Sequence, residues 1–189
     1  MRFLLFTLSL LLCSLVVAKA APPLSEDDQA LNLNYDQFVL AFSQLEPQII
    51  EKLYADNACY VSENQDKGIV EGRENILALY KAFFGKIRAK NAQIDIDFRV
   101  VNRQIEDKSA TDVGYYLVRF YPAAETEEPV SEFAGKFVMM AKKRPDGKWH
   151  LTVDTNNRAE PSFYFSAKPS QNWYFGRQFS PLPPAAKHD

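Results

Sequence analysis

Cysteine is almost missing from this chain. Cys13 and Cys59 are the only two in 189 residues, and Cys13 lies in an apolar run at the N-terminus. Cys59 is therefore the single thiol of the chain body, and an internal disulfide is excluded. The fold must be held by burial, which a domain of ~140 residues can supply. Cys59 stands between Ala58 and Tyr60 in an apolar stretch. It reads as a buried, inert thiol, with an intermolecular bridge or a nucleophile as the other readings. Histidine is as scarce: His150 and His188 are the only two. There is no metal-ligand cluster, no glycine-rich phosphate loop and no serine in a nucleophile-elbow setting, so no metal or cofactor is expected. Runs of basic residues are missing too. With 22 Lys and Arg against 24 Asp and Glu, the formal charge is −2, which argues against nucleic acid and anionic membrane surfaces as partners.

One long apolar run is present. Arg2 gives a positive start, Phe3 to Val17 is nearly unbroken, and Ala18-Lys19-Ala20 places small residues where signal peptidase reads. Residues 1–20 thus read as a secretory signal cleaved after Ala20, and the protein as periplasmic or secreted. The run falls short of the ~20 residues a spanning helix needs, so no stable membrane insertion is expected after cleavage. Loss of Arg2 and Lys19 takes the formal charge from −2 to −4.

Residues 21–29 are acidic and proline-containing, a flexible lead. The domain is expected over 30–157. Ala30–Phe42 has helical spacing through Tyr35, Phe38, Val39 and Phe42. Ser43 and Pro47 mark the start of a second helix that runs through Ile49, Ile50 and Leu53, ended by Tyr54–Asn57. A short strand is predicted over Ala58–Ser62, a polar loop over Glu63–Gly68, and a brief strand at Ile69-Val70 that Gly72 breaks. Ile76, Leu77, Leu79, Tyr80, Phe83, Phe84 and Ile87 form the stripe of a third helix, with fraying expected at Gly85. Ile94, Ile96, Phe98 and Val100 alternate with Asp95, Asp97 and Arg99, a strand with one wet face. Further strands are predicted over Asp112–Tyr121, Phe133–Lys143 and Trp149–Thr155, the last two joined by a turn at Arg144–Lys148. Helices segregated from an antiparallel sheet make an α+β domain. Residues 158–180 carry the triplets Phe163-Tyr164-Phe165 and Trp173-Tyr174-Phe175. This aromatic tail is expected to pack on the domain, with a carbohydrate- or partner-binding patch as the alternative. Residues 181–189 are expected to be disordered.

Leu53-Tyr54-Ala55-Asp56-Asn57-Ala58 and Glu71-Gly72-Arg73-Glu74-Asn75-Ile76 resemble a signature of the nuclear transport factor 2-like superfamily. Gly135 to Met139, Arg144 to Trp149, Asp154 and Asn157 resemble the ending of its SnoaL-like and calmodulin-kinase-association-domain-like bacterial branch. The resemblance covers about Asn34 to Asn157. It implies a cone-shaped, curved antiparallel sheet enclosing about three N-terminal helices, the cystatin-like fold. It also implies a pocket inside the cone and a homodimer through the convex sheet face. It does not fix an activity, because members include isomerases, dehydratases, cyclases, epoxide hydrolases and proteins that only bind or assemble. The ketosteroid isomerase pattern finds Ser62 at the place of the base, Phe38 near that of a helix-one tyrosine, and Val138 or Met139 at that of an aspartate. The histidine-based dehydratase pattern finds no match.

The last strand, read with strict alternation, puts His150, Thr152, Asp154 and Asn156 on one face and Trp149, Leu151 and Val153 on the other. That polar set either lines the cone or faces solvent or a dimer partner. At ~3.3 Å per residue, His150 and Asp154 are about 13 Å apart and form no dyad. Pocket-lining candidates are Phe38, Phe42, Tyr54, Tyr80, Phe84, Tyr116, Val138, Thr152 and Asn156; catalytic candidates are Asp154 and His150. Asp95 and Asp97 are expected in a surface or subunit-interface charge stripe. The leading expectation is an exported dimer that binds a small, largely apolar molecule. The rivals are an isomerase, cyclase or hydrolase with Asp154 as base, and an assembly module with a filled cone.

Overall fold

The structure, a computed structural model, describes residues 23–64 and 66–183. Residues 1–20, where a signal sequence is expected, His188 and most of the segment expected to be disordered lie outside the described residues.

The first helix, α1 (Glu26–Gln44), begins within the expected lead because Ser25 caps it, its Oγ accepting from the Asp28 amide, with three acidic residues in the first turn. It buries Leu31, Tyr35, Phe38, Ala41 and Phe42, one face of a 3.6-residue repeat. Leu45 stops it in the left-handed conformation, and Glu46 rather than Ser43 caps the short α2 (Pro47–Glu51). The chain then enters a strand four residues earlier than the sequence suggests: β1 runs Tyr54–Val61. After β2 (Val70–Glu71), α3 (Arg73–Ala89) continues through Gly85 without interruption.

Four long strands follow: β3 (Gln93–Glu106), β4 (Ser109–Tyr121), β5 (Ser131–Lys143) and β6 (Trp149–Ala159). A short helix α4 (Pro161–Ser166) and a two-residue β7 (Tyr174–Phe175) complete the described chain. The fold is α+β, with one curved, unclosed seven-stranded sheet in the order β2-β1-β6-β5-β4-β3-β7. The sheet is mixed rather than purely antiparallel, because β1 runs parallel to β6. Helices α1 and α3 pack on its inner face, where Phe38, Phe84, Phe98 and Phe137 are 2% exposed or less.

Two bulges reset the alternation of side chains. In β3, Val100 pairs with Gly114 and Asn102 with Val113, so Val101 has no partner. Past it the inner face switches parity, and Arg103 turns inward opposite Asp112. In β6, Leu151 pairs with Ala141 and Val153 with Met140, which leaves Thr152 as the extra residue. A strand slip of one residue exchanges the two faces of everything beyond it. Trp149 and Leu151 therefore share the inner face with Asp154 and Asn156, while His150 and Thr152 do not.

The outer face of β3 is not wet. Asp97 is fully buried and Asp95 is 6% exposed, because the C-terminal tail lies over them. Asp97 accepts from the backbone amides of Arg177 (2.7 Å) and Phe179 (2.8 Å) and from the Tyr164 hydroxyl (3.1 Å). Burial pushes its carboxyl above the usual range against those hydrogen bonds. Gly176, at φ +104°, brings the backbone so close that a Cβ there would strike the Asp97 carboxylate. Arg99 lies over the Tyr164 ring and donates to the carbonyls of Tyr164 and Phe165. Tyr164 and Phe179 are buried against Leu117 and Ala134, a second small core on the outer face.

Candidate functional site

Between α1, α3 and the inner face of the sheet lies a cavity of about 510 Å³. It is large enough for a small organic ligand. Helix periodicity supplies one wall: Phe38 and Phe42 from α1, Leu79, Tyr80 and Phe83 from α3. The sheet supplies the other, with Ile96, Phe98, Tyr116, Val118, Phe133 and Met139. Gly135 makes room for this wall, since a Cβ there would overlap the Tyr116 ring.

The polar end belongs to β1 and β6. Parallel pairing sets Tyr60 opposite Asp154 and Tyr54 opposite Leu151, all directed inward. Tyr54 donates its hydroxyl to Asp154 Oδ2 at 2.5 Å, and Asn156 Nδ2 donates to Oδ1 at 3.0 Å. Tyr80 brings its hydroxyl to 3.4 Å from that of Tyr54. Asp154 is 1% exposed. Burial raises its pKa to about 6, while the hydrogen bonds from Tyr54 and Asn156 pull in the other direction. Burial and the neighbouring Asp154 carboxylate raise the phenols of Tyr54 and Tyr80 well above their usual value, which keeps them as neutral donors.

At the mouth, Glu63 follows β1 and reaches across to the sheet. It accepts from the Tyr116 hydroxyl (3.0 Å) and pairs with Arg158 (2.7 Å). Ser62, Lys67, Gly68 and Ile69 from the same loop line the opening.

Of the residues that the sequence nominates, Phe38, Phe42, Tyr80, Tyr116, Asp154 and Asn156 line this cavity. Tyr54 and Phe84, both fully buried, stand behind its walls. Three nominated residues lie elsewhere. Val138 is on the outer face, since the inner one carries Phe137 and Met139. Thr152 is the bulge residue, its Oγ1 donating to the Met140 carbonyl. His150, opposite Lys142, faces away from the cavity. The sequence reading missed Tyr60 and Glu63; the polar loop at Glu63–Gly68 was the only trace of the latter. Among the described residues no cluster of His, Cys, Asp and Glu could hold a metal ion.

No family model matches the sequence, and no curated protein sequence matches it. Solved structures do. A protein from Novosphingobium aromaticivorans, described as nuclear transport factor 2-like with a cystatin-like fold, superposes with a TM-score of 0.56 at 13% identity, covering 70% of this chain and 82% of that one. The chain has the nuclear transport factor 2-like fold. Two more structures share this nuclear transport factor 2-like fold. A ketosteroid isomerase-like protein from Erwinia carotovora atroseptica has a TM-score of 0.56 at 12% identity, covering 73% of this chain and all of that one. A Xanthomonas campestris protein, described as a candidate calcium/calmodulin-dependent protein kinase II association domain, has a TM-score of 0.53 at 21% identity, covering 75% and 94%.

Proposed function

We propose that this protein binds a small, largely apolar molecule in the cavity, with the polar part of the ligand at Asp154. The observation that carries this reading is a cavity of about 510 Å³ walled by aromatic and aliphatic side chains, with one buried carboxyl at its polar end. The test is an NMR titration of labelled protein with 2-naphthol. Saturable shifts confined to cavity residues such as Phe83, Val118 and Phe133 are expected. Shifts scattered over the surface, or none, would refute the reading.

A second reading is proton transfer by Asp154, favoured by a cavity carboxyl with a pKa of about 6. A base so placed is mostly ionised at neutrality yet still basic enough to take a proton, and contributes on the order of 10²–10⁴ in rate. Deuterium exchange into 2-tetralone, lost in Asp154→Asn, would support it; exchange at the buffer rate would sink it.

Two further proposals concern the setting of the domain. Residues 1–20 direct export, so the mature N-terminus would be Ala21 by terminal sequencing. Among the described residues, no helix is long and apolar enough to cross a membrane. Self-association would use the part of the outer sheet face that the tail leaves open, around Val113 and Met140, which are 37% and 40% exposed. Sedimentation of Met140→Glu against the unchanged protein checks this.

A further inference from the structure

A carboxylate has about four acceptor positions, two on each oxygen. Asp154 uses one of each, for Tyr54 and Asn156. It has no cationic partner among the described residues. Arg158 is committed to Glu63 at the mouth, and Lys67, exposed on the loop, is the one cation lining the cavity among the described residues. Asp154 is thus a buried acid with open acceptor positions and no countercharge. The groups that face it are neutral phenols, Tyr54 and Tyr60 from β1 and Tyr80 from α3, while the Tyr35 hydroxyl on α1 is turned to Asp112. Glu63 and Tyr116 stand further out, towards the mouth.

The walls beside this acid are rings. Tyr60 and Tyr80 meet edge to face at 6.5 Å, and Tyr80 lies 6.5 Å from Phe38 and 6.3 Å from Phe42. A ring face attracts a cation placed within about 6 Å of its centre, more strongly once water is excluded. An anionic ligand head would meet only hydroxyls and the Asn156 amide here, beside a carboxylate. A neutral head would leave Asp154 without a countercharge. A cationic head satisfies both the acid and the rings.

We infer that the cavity prefers an amine with a compact hydrocarbon body, its ammonium seated at Asp154 and its body against the aromatic walls. This rests on the binding reading above and names the ligand class for it. The acid must be ionised to form the pair. Its pKa of about 6 in the empty protein therefore makes amine affinity fall about tenfold from pH 7 to pH 5, as a proton competes for the same site.

The test is calorimetric titration of the purified protein with three probes of one shape: 2-naphthylmethylamine, 2-naphthylmethanol and 2-naphthoate. The amine is expected to bind at least tenfold more tightly than the alcohol at pH 7, and naphthoate most weakly. The advantage of the amine over the alcohol should shrink about tenfold at pH 5 and vanish in Asp154→Asn. An alcohol or naphthoate affinity equal to that of the amine overturns the inference while leaving cavity binding intact. So does an amine preference that is undiminished at pH 5 or that survives in Asp154→Asn. No binding by any of the three overturns the cavity reading itself, and this inference with it. The pH comparison needs no variant, so a failure of Asp154→Asn to fold does not spoil it.

Discussion

Tyr54 and Asp154 are separated by 100 residues in sequence and by 2.5 Å at the polar end of the cavity. The phenol is the donor, and both groups are buried. The bond joins the first strand to the last long one, which run parallel to each other. It ties the site chemistry to the topology of the sheet.

Asp154 makes stability depend on pH in an uncommon direction. Its folded pKa of about 6 lies above the ordinary 3.8, so between these values the folded state holds the proton that the unfolded state has lost. Stability therefore falls as pH rises through this window and stays level above it. The full cost is about 3 kcal/mol. Urea unfolding of Asp154→Asn should lose this fall, and the variant should be about 1–3 kcal/mol more stable than the original at pH 7. An unchanged pH profile would refute the assignment.

Arg103 and Asp112 form a bidentate pair at 2.7 and 2.8 Å, joined by the Tyr35 hydroxyl at 2.8 Å. Their side chains are 1% and 5% exposed. Arg103→Ala leaves the Asp112 charge buried and alone and should cost about 3–5 kcal/mol. Tyr35→Phe should cost about 1 kcal/mol. Chemical denaturation with a double-mutant cycle gives both figures.

Asp97 holds the tail. Asp97→Ala leaves the Arg177 and Phe179 amides and the Tyr164 hydroxyl without their acceptor. Proteolysis should then cut within Ser162–Phe179 at concentrations that leave the original chain whole. Tyr164→Ala should release the same segment and cost about 3–5 kcal/mol.

Gly135→Ala should disturb the mouth rather than the polar end. The added methyl group would push the Tyr116 ring from its place and with it the hydroxyl from Glu63. A loss of about 1–3 kcal/mol is expected, with faster amide exchange over Ser62–Gly68. Exchange at the original rate would count against the Tyr116–Glu63 contact.

Much of this fold is legible in the sequence, for a physical reason. The α3 stripe and the alternation from Ile94 to Val100 are periodic, and periodicity is what burial on one side leaves behind. The inserted residues Val101 and Thr152 leave no such mark, because an unpaired residue in a bulge looks like any other strand residue. Strict alternation thus groups His150 and Thr152 with Asp154, whereas the bulge separates them. The burial of Asp97 was hidden for another reason: its cover arrives 80 residues later, as the Arg177 amide. Tyr54 reads as a helix end because the sequence gives no sign that β1 finds its neighbour in β6, with four other strands between them along the chain.

The two residues of β7 matter most for what they prevent. They pair with Phe98 and Arg99, midway along the 14 residues of β3. Without them β3 would end the sheet as a long open edge, the kind of surface that recruits strands from other molecules. A ladder of only two pairs, held down by Asp97 and Arg99, interrupts that edge at its centre. The C-terminal segment is then a guard against strand-to-strand aggregation, at work whether or not the cavity is occupied.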